Sequence, residues 1–415
     1  MTAGREQLPV SFERARVGTL GAGDDERFEL AYDARWLARV DAFAISASLP
    51  LREAPYAGGA GHWFFANLLP EGQVRQLVAR RLGISEANDF ELLRALGGEC
   101  AGALVIGDDP EPDGYETITR KQLAELARQG DALVHATDRA GVRLSLAGAQ
   151  DKLPLRVDGK RFQLPRGASP STHIMKFPNR SFRHLPANEA FTMGLAKRLG
   201  LPVADVTLLD VQGERILLTP RYDRVAHGDD IVRLHQEDMC QARGVSPWRK
   251  YEAEGGPSFA DCIDVVTRVS AEPAPDTRAL VQWLAFCAIA GNADGHGKNL
   301  SMVRSPSGAW RLAPFYDLAC TAIYQGIDRN LAMRVGDNAD PGKIRSRDWE
   351  QLARQAKLGP RFVKDIVGNL AGRIDEEARA TAAEFRDAYG DSPVPAQIVT
   401  KIRKQARRAR QLLAE

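Results

Sequence analysis

Along RVGTLGAGDDERFELAY, residues 16–32, apolar and polar residues alternate on both sides of a glycine and aspartate cluster, the pattern of a β-hairpin. WFFANLLPEGQVRQLVARRLGI follows, with Pro70 near a helix start, Leu77, Arg81 and Leu82 at helical spacing, and Gly83 as a stop. DDPEPDGYE, residues 108–116, is dense in turn formers and acids and reads as a boundary. From residue 141, GVRLSLAGAQDKLPLRVDGKRFQLP holds three short apolar runs separated by AGAQ and by Asp158-Gly159, which predicts a small β-meander. STHIMKFP predicts another strand, NEAFTMGLAKRLGLPV a helix closed by Gly200, and VTLLDV and RILLTPRYD two further strands. After about residue 235 the pattern turns helical. In DTRALVQWLAFCAIAGNAD apolar residues surround the axis, so the helix is buried, with Asp276 as its expected cap. Three more helical patterns, around DWEQLARQAKLG, RFVKDIVGNLAGRIDEEARATAAEFRDAYG and AQIVTKIRKQARRARQLLAE, complete the chain. The expected division is an N-terminal subdomain over 1–107, a mixed lobe over 108–234 and a helical lobe over 235–415. No internal repeat or low-complexity segment interrupts it.

Composition narrows the class. The 415 residues are 44% apolar and 27% charged, as in folded globular proteins. With 56 basic against 54 acidic residues, a formal charge of +2 makes no global case for nucleic acid. The local exception is TKIRKQARRARQLLAE, where Lys401, Arg403, Lys404, Arg407, Arg408 and Arg410 form either a solvated helix face or a nucleic-acid contact. Five scattered cysteines without CxxC spacing read as reduced, buried thiols rather than a zinc site. The N-terminal residues lack the apolar core of a signal peptide. The longest apolar run, near 279–291, is shorter than the roughly 20 residues a membrane span needs. A cytoplasmic protein with no membrane partner is expected.

Chemistry concentrates in GNADGHGKNLSMV, residues 291–303. A phosphate-binding P-loop is excluded, because five residues separate the glycines, Asn299 replaces the magnesium-ligating hydroxyl, and a helix rather than a strand precedes the loop. Asp294 and Asn299 instead have the D-x-x-x-x-N spacing of a kinase catalytic loop. Phosphoryl transfer needs a carboxylate to take the attacking hydroxyl's proton, and an amide oxygen can hold magnesium without adding a second charge beside the phosphates. A second metal-ligating acid is supplied by LSMVRSPSGAWRLAPFYD, two short strands around a turn that lead to Asp317. The spacing alone leaves another reading open, in which Asp294, His296 and Asn299 cap a buried helix and tie down a loop.

Upstream residues favour the kinase reading by their order. Lys176 lies in an apolar strand, where a lysine is costly without an anionic partner such as a nucleotide phosphate. Glu189, 13 residues on, is placed to pair with it from a helix. The AGAQDK turn, with Ala147, Gly148, Ala149, Gln150 and Lys152, has the small residues that let backbone N–H groups approach phosphate oxygens.

Taken in order, SLAGAQDK, STHIMKFP, TPRYDR, HQEDMCQARG, KYEAEGGP, DGHGKN and LAPFYDLAC closely resemble the HipA-type serine/threonine kinases, toxin halves of bacterial toxin–antitoxin pairs. NLLPEG and GGECAGAL extend the resemblance over nearly the whole chain. It implies an α+β, bilobal protein-kinase-like fold with a β-rich N-lobe, a small extra N-terminal subdomain and a helix-rich C-lobe. It also implies ATP and Mg2+ as cofactors, Asp294 as base, Asn299 and Asp317 as metal ligands, His296 and Lys298 beside the phosphates, and Lys176 on the nucleotide. TPRYDR becomes the segment joining the lobes, with the Pro220 carbonyl and Tyr222 N–H facing adenine and Asp223 near the ribose. Pro220 departs from the acidic residue expected there, a tolerable loss because adenine needs only a backbone carbonyl. The resemblance further implies autophosphorylation at Ser145, a small helix-turn-helix DNA-binding antitoxin (HipB-like) as partner, operator DNA bound only through it, and an aminoacyl-tRNA synthetase as substrate. Two alternatives remain: a catalytically weak kinase-fold co-repressor, and a kinase of small molecules or lipids.

Overall fold

The computed structural model describes residues 6–23, 27–108, 112–137, 139, 141–148, 150–179, 181–228 and 230–415. The chain forms two compact units, one of Met1–Asn179, Leu209–Trp248 and Val303–Gly308, the other of Arg180–Leu208, Arg249–Met302 and Ala309–Glu415. Among the described residues no helix is long and apolar enough to cross a membrane.

In the first unit the expected hairpin pairs Ala15–Ala22 with Phe28–Tyr32, its tip at 24–26 lying outside the described residues. Alternation converts directly into burial, since Phe28, Leu30 and Tyr32 face the core while Glu29 and Ala31 do not. The sequence pattern missed a third strand, Gln7–Phe12, which pairs with Ala15–Ala22 and with Leu104–Ile106 to complete a four-stranded antiparallel sheet. Helices Gly59–Ala66, Gly72–Leu82 and Asp89–Leu96 add Phe64, Phe65, Val78, Leu92 and Leu93 to its core. Gly83 stops the second of these at φ 68°, where a side chain is disfavoured.

A six-stranded sheet follows in the order Gly114–Ile118, Arg161–Arg166, Lys152–Asp158, His173–Lys176, Glu214–Pro220 and Thr207–Val211. Two expectations are corrected here. GYETI of the boundary segment is an edge strand paired with Arg161–Arg166, its β-branched and aromatic residues outweighing the turn formers before it. The run GVRLSL adds no strand to the meander and makes one bridge, Leu144 to Glu99. Arg143 explains the difference: its buried guanidinium donates to the Arg94, Ile106 and Asp108 carbonyls at 2.7, 2.9 and 3.2 Å, tying the run to the N-terminal sheet.

Glu99 is fully buried. Its carboxylate accepts from Arg221 at 3.0 Å, Arg224 at 2.8 Å, Arg233 Nε at 3.1 Å and the Ser171 hydroxyl at 2.7 Å. Asp223 completes the cluster, accepting from Arg221 at 2.7 Å and the Gly102 N–H at 2.7 Å. Burial alone would raise the Glu99 carboxyl, but Arg224, Arg233 and Arg221 with Ser171 outweigh it and hold the group far below its ordinary range.

The second unit is built on the helix Pro273–Ala290, with Leu280, Trp283, Leu284, Phe286 and Ile289 buried around its circumference. Its cap is Glu272, four residues before the expected one, because Pro273 suits the first turn, where no N–H partner is needed. Asp276 therefore sits inside the helix, accepting from Ser270 Oγ at 2.6 Å, the Leu312 N–H at 2.9 Å and Arg311 at 2.9 Å. Against it pack Phe259–Val269, Pro360–Tyr389 and Pro393–Ala414, and Leu185–Arg198 and Ser346–Gln355 pack in turn on the last two of these. The last of these buries Ile398, Ile402 and Ala406 and leaves Lys401, Lys404 and Arg407 exposed.

Replacing Glu99 with alanine takes a carboxylate from the buried guanidinium groups of Arg221 and Arg224 and the partly buried one of Arg233, and is expected to cost about 3–5 kcal/mol in urea unfolding at pH 7. Because the folded carboxyl titrates below its ordinary 4.5, the parent's contribution is complete above that value and is lost as pH falls through the folded one. The stability gap between parent and variant should thus stay flat from about pH 5 to 8 and narrow only in acid.

Candidate active site

The buried helix ends at Gly291, φ 76°, whose N–H returns to the Cys287 carbonyl at 3.1 Å. A side chain there would be strained, and its Cβ would meet the Ala322 Cβ at 2.8 Å. Asn292, also buried, accepts the Asp294 N–H at 3.1 Å and starts the loop's turn. The Ala293 N–H is bound by Thr321 Oγ1 at 2.9 Å. Gly295 packs close against Trp283, since a Cβ would stand 3.1 Å from two of the indole's ring carbons and 3.2 Å from Cys287 Sγ.

These restraints present Asp294 with its side chain half exposed. Oδ1 accepts from the Tyr251 hydroxyl and lies 3.8 Å from His296 Nε2. Asn299, in the 3-10 turn Gly297–Asn299, donates its Nδ2 to the Asp294 carbonyl at 2.8 Å. That bond fixes the amide's orientation and turns away its carbonyl oxygen, the end that binds cations. His296, Lys298 and Asn299 are all buried.

The strands Ser301–Arg304 and Trp310–Leu312 carry the chain to Asp317 as expected. Tyr316 hydrogen-bonds the Lys298 carbonyl at 2.8 Å and Ser301 Oγ at 2.7 Å, joining this segment to the loop. Asp317 has φ 58°, a left-handed conformation that aspartate tolerates better than most residues. Such a backbone persists only when its surroundings over-determine it. Here Phe315 exchanges 2.8 Å hydrogen bonds with Pro202 and Ala204, and Asn188 grips Cys320 through Oδ1 to its N–H, 2.8 Å, and Nδ2 to its carbonyl, 3.0 Å. Glu189, beside Asn188 on the helix Leu185–Arg198, is buried.

In the first unit Lys176 is buried on the central strand His173–Lys176 and stands directly opposite Lys152 in the antiparallel register. Gly148, φ 110°, is approached by the Lys152 ammonium, 2.7 Å from where a Cβ would be. Ala147, Gly148 and Gln150 are half-buried, with Gln150 Nε2 on the Phe177 carbonyl at 3.3 Å, while Ala149 lies outside the described residues. Asp151 anchors the turn by accepting the Ala132 and Leu133 N–H groups at 2.7 and 3.3 Å; burial pushes its carboxyl up. Ser145 is fully buried and donates to the Leu68 carbonyl at 2.8 Å.

Pro220 ends its strand exposed, and Tyr222 hydrogen-bonds Gln236. Asp223 faces inward, its oxygens engaged by Gly102, Arg221 and Arg224. Sequence reasoning missed Tyr251, Asn188, Asn292 and Trp283; only KYEAEGGP, quoted for its resemblance, held a signal for Tyr251.

An acid and an amide tied together on one loop, with an aspartate of left-handed backbone further along the chain, are the arrangement expected from the sequence for phosphoryl transfer, and the α+β architecture is kinase-like with an added N-terminal subdomain. Residues 144–378 match the HipA-like C-terminal domain and residues 8–107 the HipA N-terminal domain. Over 391 residues the chain is 39% identical to the protein Y4mE of Sinorhizobium fredii, covering 92% of this chain and 91% of that one. Over 396 residues it is 34% identical to the serine/threonine-protein kinase toxin HipA of Shewanella oneidensis, covering 87% and 89%. Its fold also matches a chain from the Shewanella oneidensis complex of HipA, HipB and operator DNA, with a TM-score of 0.83 and 28% identity over 97% of each chain. The chain belongs to the HipA family of kinase toxins.

Replacing Asn188 with alanine removes both bonds to Cys320 and is expected to cost about 1–3 kcal/mol by leaving buried backbone groups unpaired. Hydrogen exchange at residues 317–321 should accelerate in this variant, while exchange in the sheet of the first unit stays at the parent rate.

Proposed function

We propose that the chain is an ATP-dependent serine/threonine protein kinase and the growth-arresting toxin of a toxin–antitoxin pair. The observation that supports it most is the loop in which Asn299 holds the Asp294 backbone while the Asp294 carboxylate stays accessible. Asp294 accepts the proton of a serine hydroxyl as that oxygen bonds to the γ-phosphorus of ATP. The bond from the γ-phosphorus to the bridging oxygen breaks, and ADP leaves with the electron pair. The outward amide oxygen of Asn299 and the carboxylate of Asp317 are the hard oxygen donors that magnesium takes, so these residues fit it. Held by them, the ion would neutralise charge on the phosphates.

Lys152 and Lys176 are nucleotide contacts in this reading, two cations that the strand register sets opposite one another. Ala147, Gly148 and Gln150 offer backbone donors to phosphate, His296 and Lys298 are phosphate contacts, and Glu189 is a further residue of the proposed nucleotide set. The Pro220 carbonyl and Tyr222 N–H meet adenine. A ribose contact by Asp223 has to share oxygens already bonded to Gly102 and Arg221.

The acceptor protein is an aminoacyl-tRNA synthetase, and the chain works in the cytoplasm with a small helix-turn-helix antitoxin through which it reaches operator DNA. The Shewanella complex of HipA, HipB and operator DNA supports that assembly, and a net charge of +2 is too small for strong DNA binding by the chain alone. Autophosphorylation at Ser145 shuts the kinase off. Because Ser145 is buried with its hydroxyl on the Leu68 carbonyl, it becomes an acceptor only after the segment swings out. A phosphate of about −1.5 to −2 charge then cannot return to that site, and the open state is trapped.

Asp294→Asn is expected to lower transfer of label from γ-labelled ATP to lysate protein by about 10²–10⁴-fold, with the fold and nucleotide binding kept. Labelling at the parent rate would remove Asp294 as the base. After incubation with ATP, mass spectrometry should find phosphate on Ser145. Ser145→Ala should stay active without declining, and Ser145→Asp should bind ATP poorly; phosphate elsewhere, with activity still declining, would refute this switch.

A further inference from the structure

The half-exposed carboxylate of Asp294 has one side-chain hydroxyl on it, that of Tyr251, bound at Oδ1. A phenol at neutral pH donates to a carboxylate, which can only accept. Tyr251 is itself held on every side. Its ring packs edge-on against His296, centroids 5.1 Å apart at 88°, and the preceding Lys250 carbonyl accepts the Gly297 N–H at 3.2 Å. The Tyr251 carbonyl takes N–H groups from Glu254 at 3.0 Å and Gly256 at 2.9 Å. Glu252, next in the chain, is pinned from beyond the site by the Ala332 carbonyl at 3.0 Å and the Arg334 N–H at 2.6 Å.

Gly256 shows how closely this segment is folded. A Cβ there would lie 2.3 Å from the Arg249 carbonyl oxygen and 2.7 Å from backbone atoms of Lys250 and Tyr251. Gly256, the second glycine of KYEAEGGP, is thus required to fold the segment that carries Tyr251 to Asp294. So much restraint on one phenol, ending on one oxygen of the catalytic loop, is more than ring packing needs.

We infer that Tyr251 is the positioning residue for Asp294: its hydroxyl holds Oδ1 so that Oδ2 is turned toward the acceptor hydroxyl, with KYEAEGGP as the brace that aims it. This rests on Asp294 being the base. Tyr251 touches neither the phosphate nor the acceptor, and its effect falls on the rate of transfer rather than on nucleotide binding.

Tyr251→Phe keeps the ring and its packing on His296 and removes only the donor. With γ-labelled ATP and bacterial lysate protein as acceptor, it is expected to lower the maximal labelling rate about tenfold, the worth of one hydrogen bond to a charged group. The half-saturating ATP concentration and the melting temperature should stay at parent values. In an Asp294→Asn background the same change should do nothing further, since the carboxylate it positions is gone. Placing 4-aminophenylalanine at 251 restores a donor and should restore rate. A parent rate for Tyr251→Phe beside an inactive Asp294→Asn overturns the positioning role and leaves the base assignment standing. A further fall when the two changes are combined, or a loss of ATP affinity and stability with rate, assigns Tyr251 to packing and also overturns it. Asp294→Asn labelling at the parent rate, or no protein-bound label with the parent chain, overturns the base and the positioning role together.

Discussion

A helix that is apolar all round has to end where its last carbonyls and the polar residues after it can be satisfied without water, and the second unit is organised around that requirement. Pro273–Ala290 has no solvated face along most of its length, so the loop from Gly291 to Asn299 cannot relax outward. Its groups are instead met one by one. Cys287 takes the Gly291 N–H, Asn292 the Asp294 N–H, Thr321 the Ala293 N–H, Lys250 the Gly297 N–H, and the Asp294 carbonyl takes the Asn299 amide. Each bond serves burial first, since unpaired backbone in an apolar setting is costly. The same bonds leave a single carboxylate presented in one orientation. In the proposed reading, the pre-organisation that phosphoryl transfer depends on comes from the way a buried helix is closed.

The family's sequence signatures divide along this line. DGHGKN and LAPFYDLAC carry the proposed site residues, and Gly295 against Trp283 and Asn188 on Cys320 hold those segments. GGECAGAL and TPRYDR meet in the first unit as a buried charge cluster, where Glu99 is bound by Arg221 and Arg224 and Asp223 by Arg221 and Gly102. HQED contributes Glu237, which accepts from Ser46 at 2.5 Å and from the Ala47 N–H at 3.0 Å. Several motifs that look functional are thus internal ties. They are costly to break because burial leaves the remaining partner charged and alone.

The hairpin at 16–32, the strands around Lys176 and Leu217, and the helical second unit were legible because alternation and helical periodicity report which face is buried. The D-x-x-x-x-N loop and the hairpin-borne Asp317 were legible from spacing. Gln7–Phe12 was not, since Pro9 and a short run conceal its alternation, and GVRLSL misled because Arg143 spends its charge on carbonyls distant in sequence. Asp276 misled by looking like a cap while binding Arg311, 35 residues away. Asn188 was invisible, and Tyr251 was marked only by the resemblance of KYEAEGGP, for the same reason: their meaning lies in contacts 132 and 43 residues distant, which no local pattern encodes.

The central claim is that Asn299 and Asp317 form one nucleotide–metal site with Asp294. Titration calorimetry of ATP into the parent chain and into Asp317→Ala, with magnesium and again with excess chelator, tests it most directly. The account expects affinity that depends strongly on magnesium in the parent and far less in the variant. Equal ATP affinity with and without the metal in both proteins would contradict it.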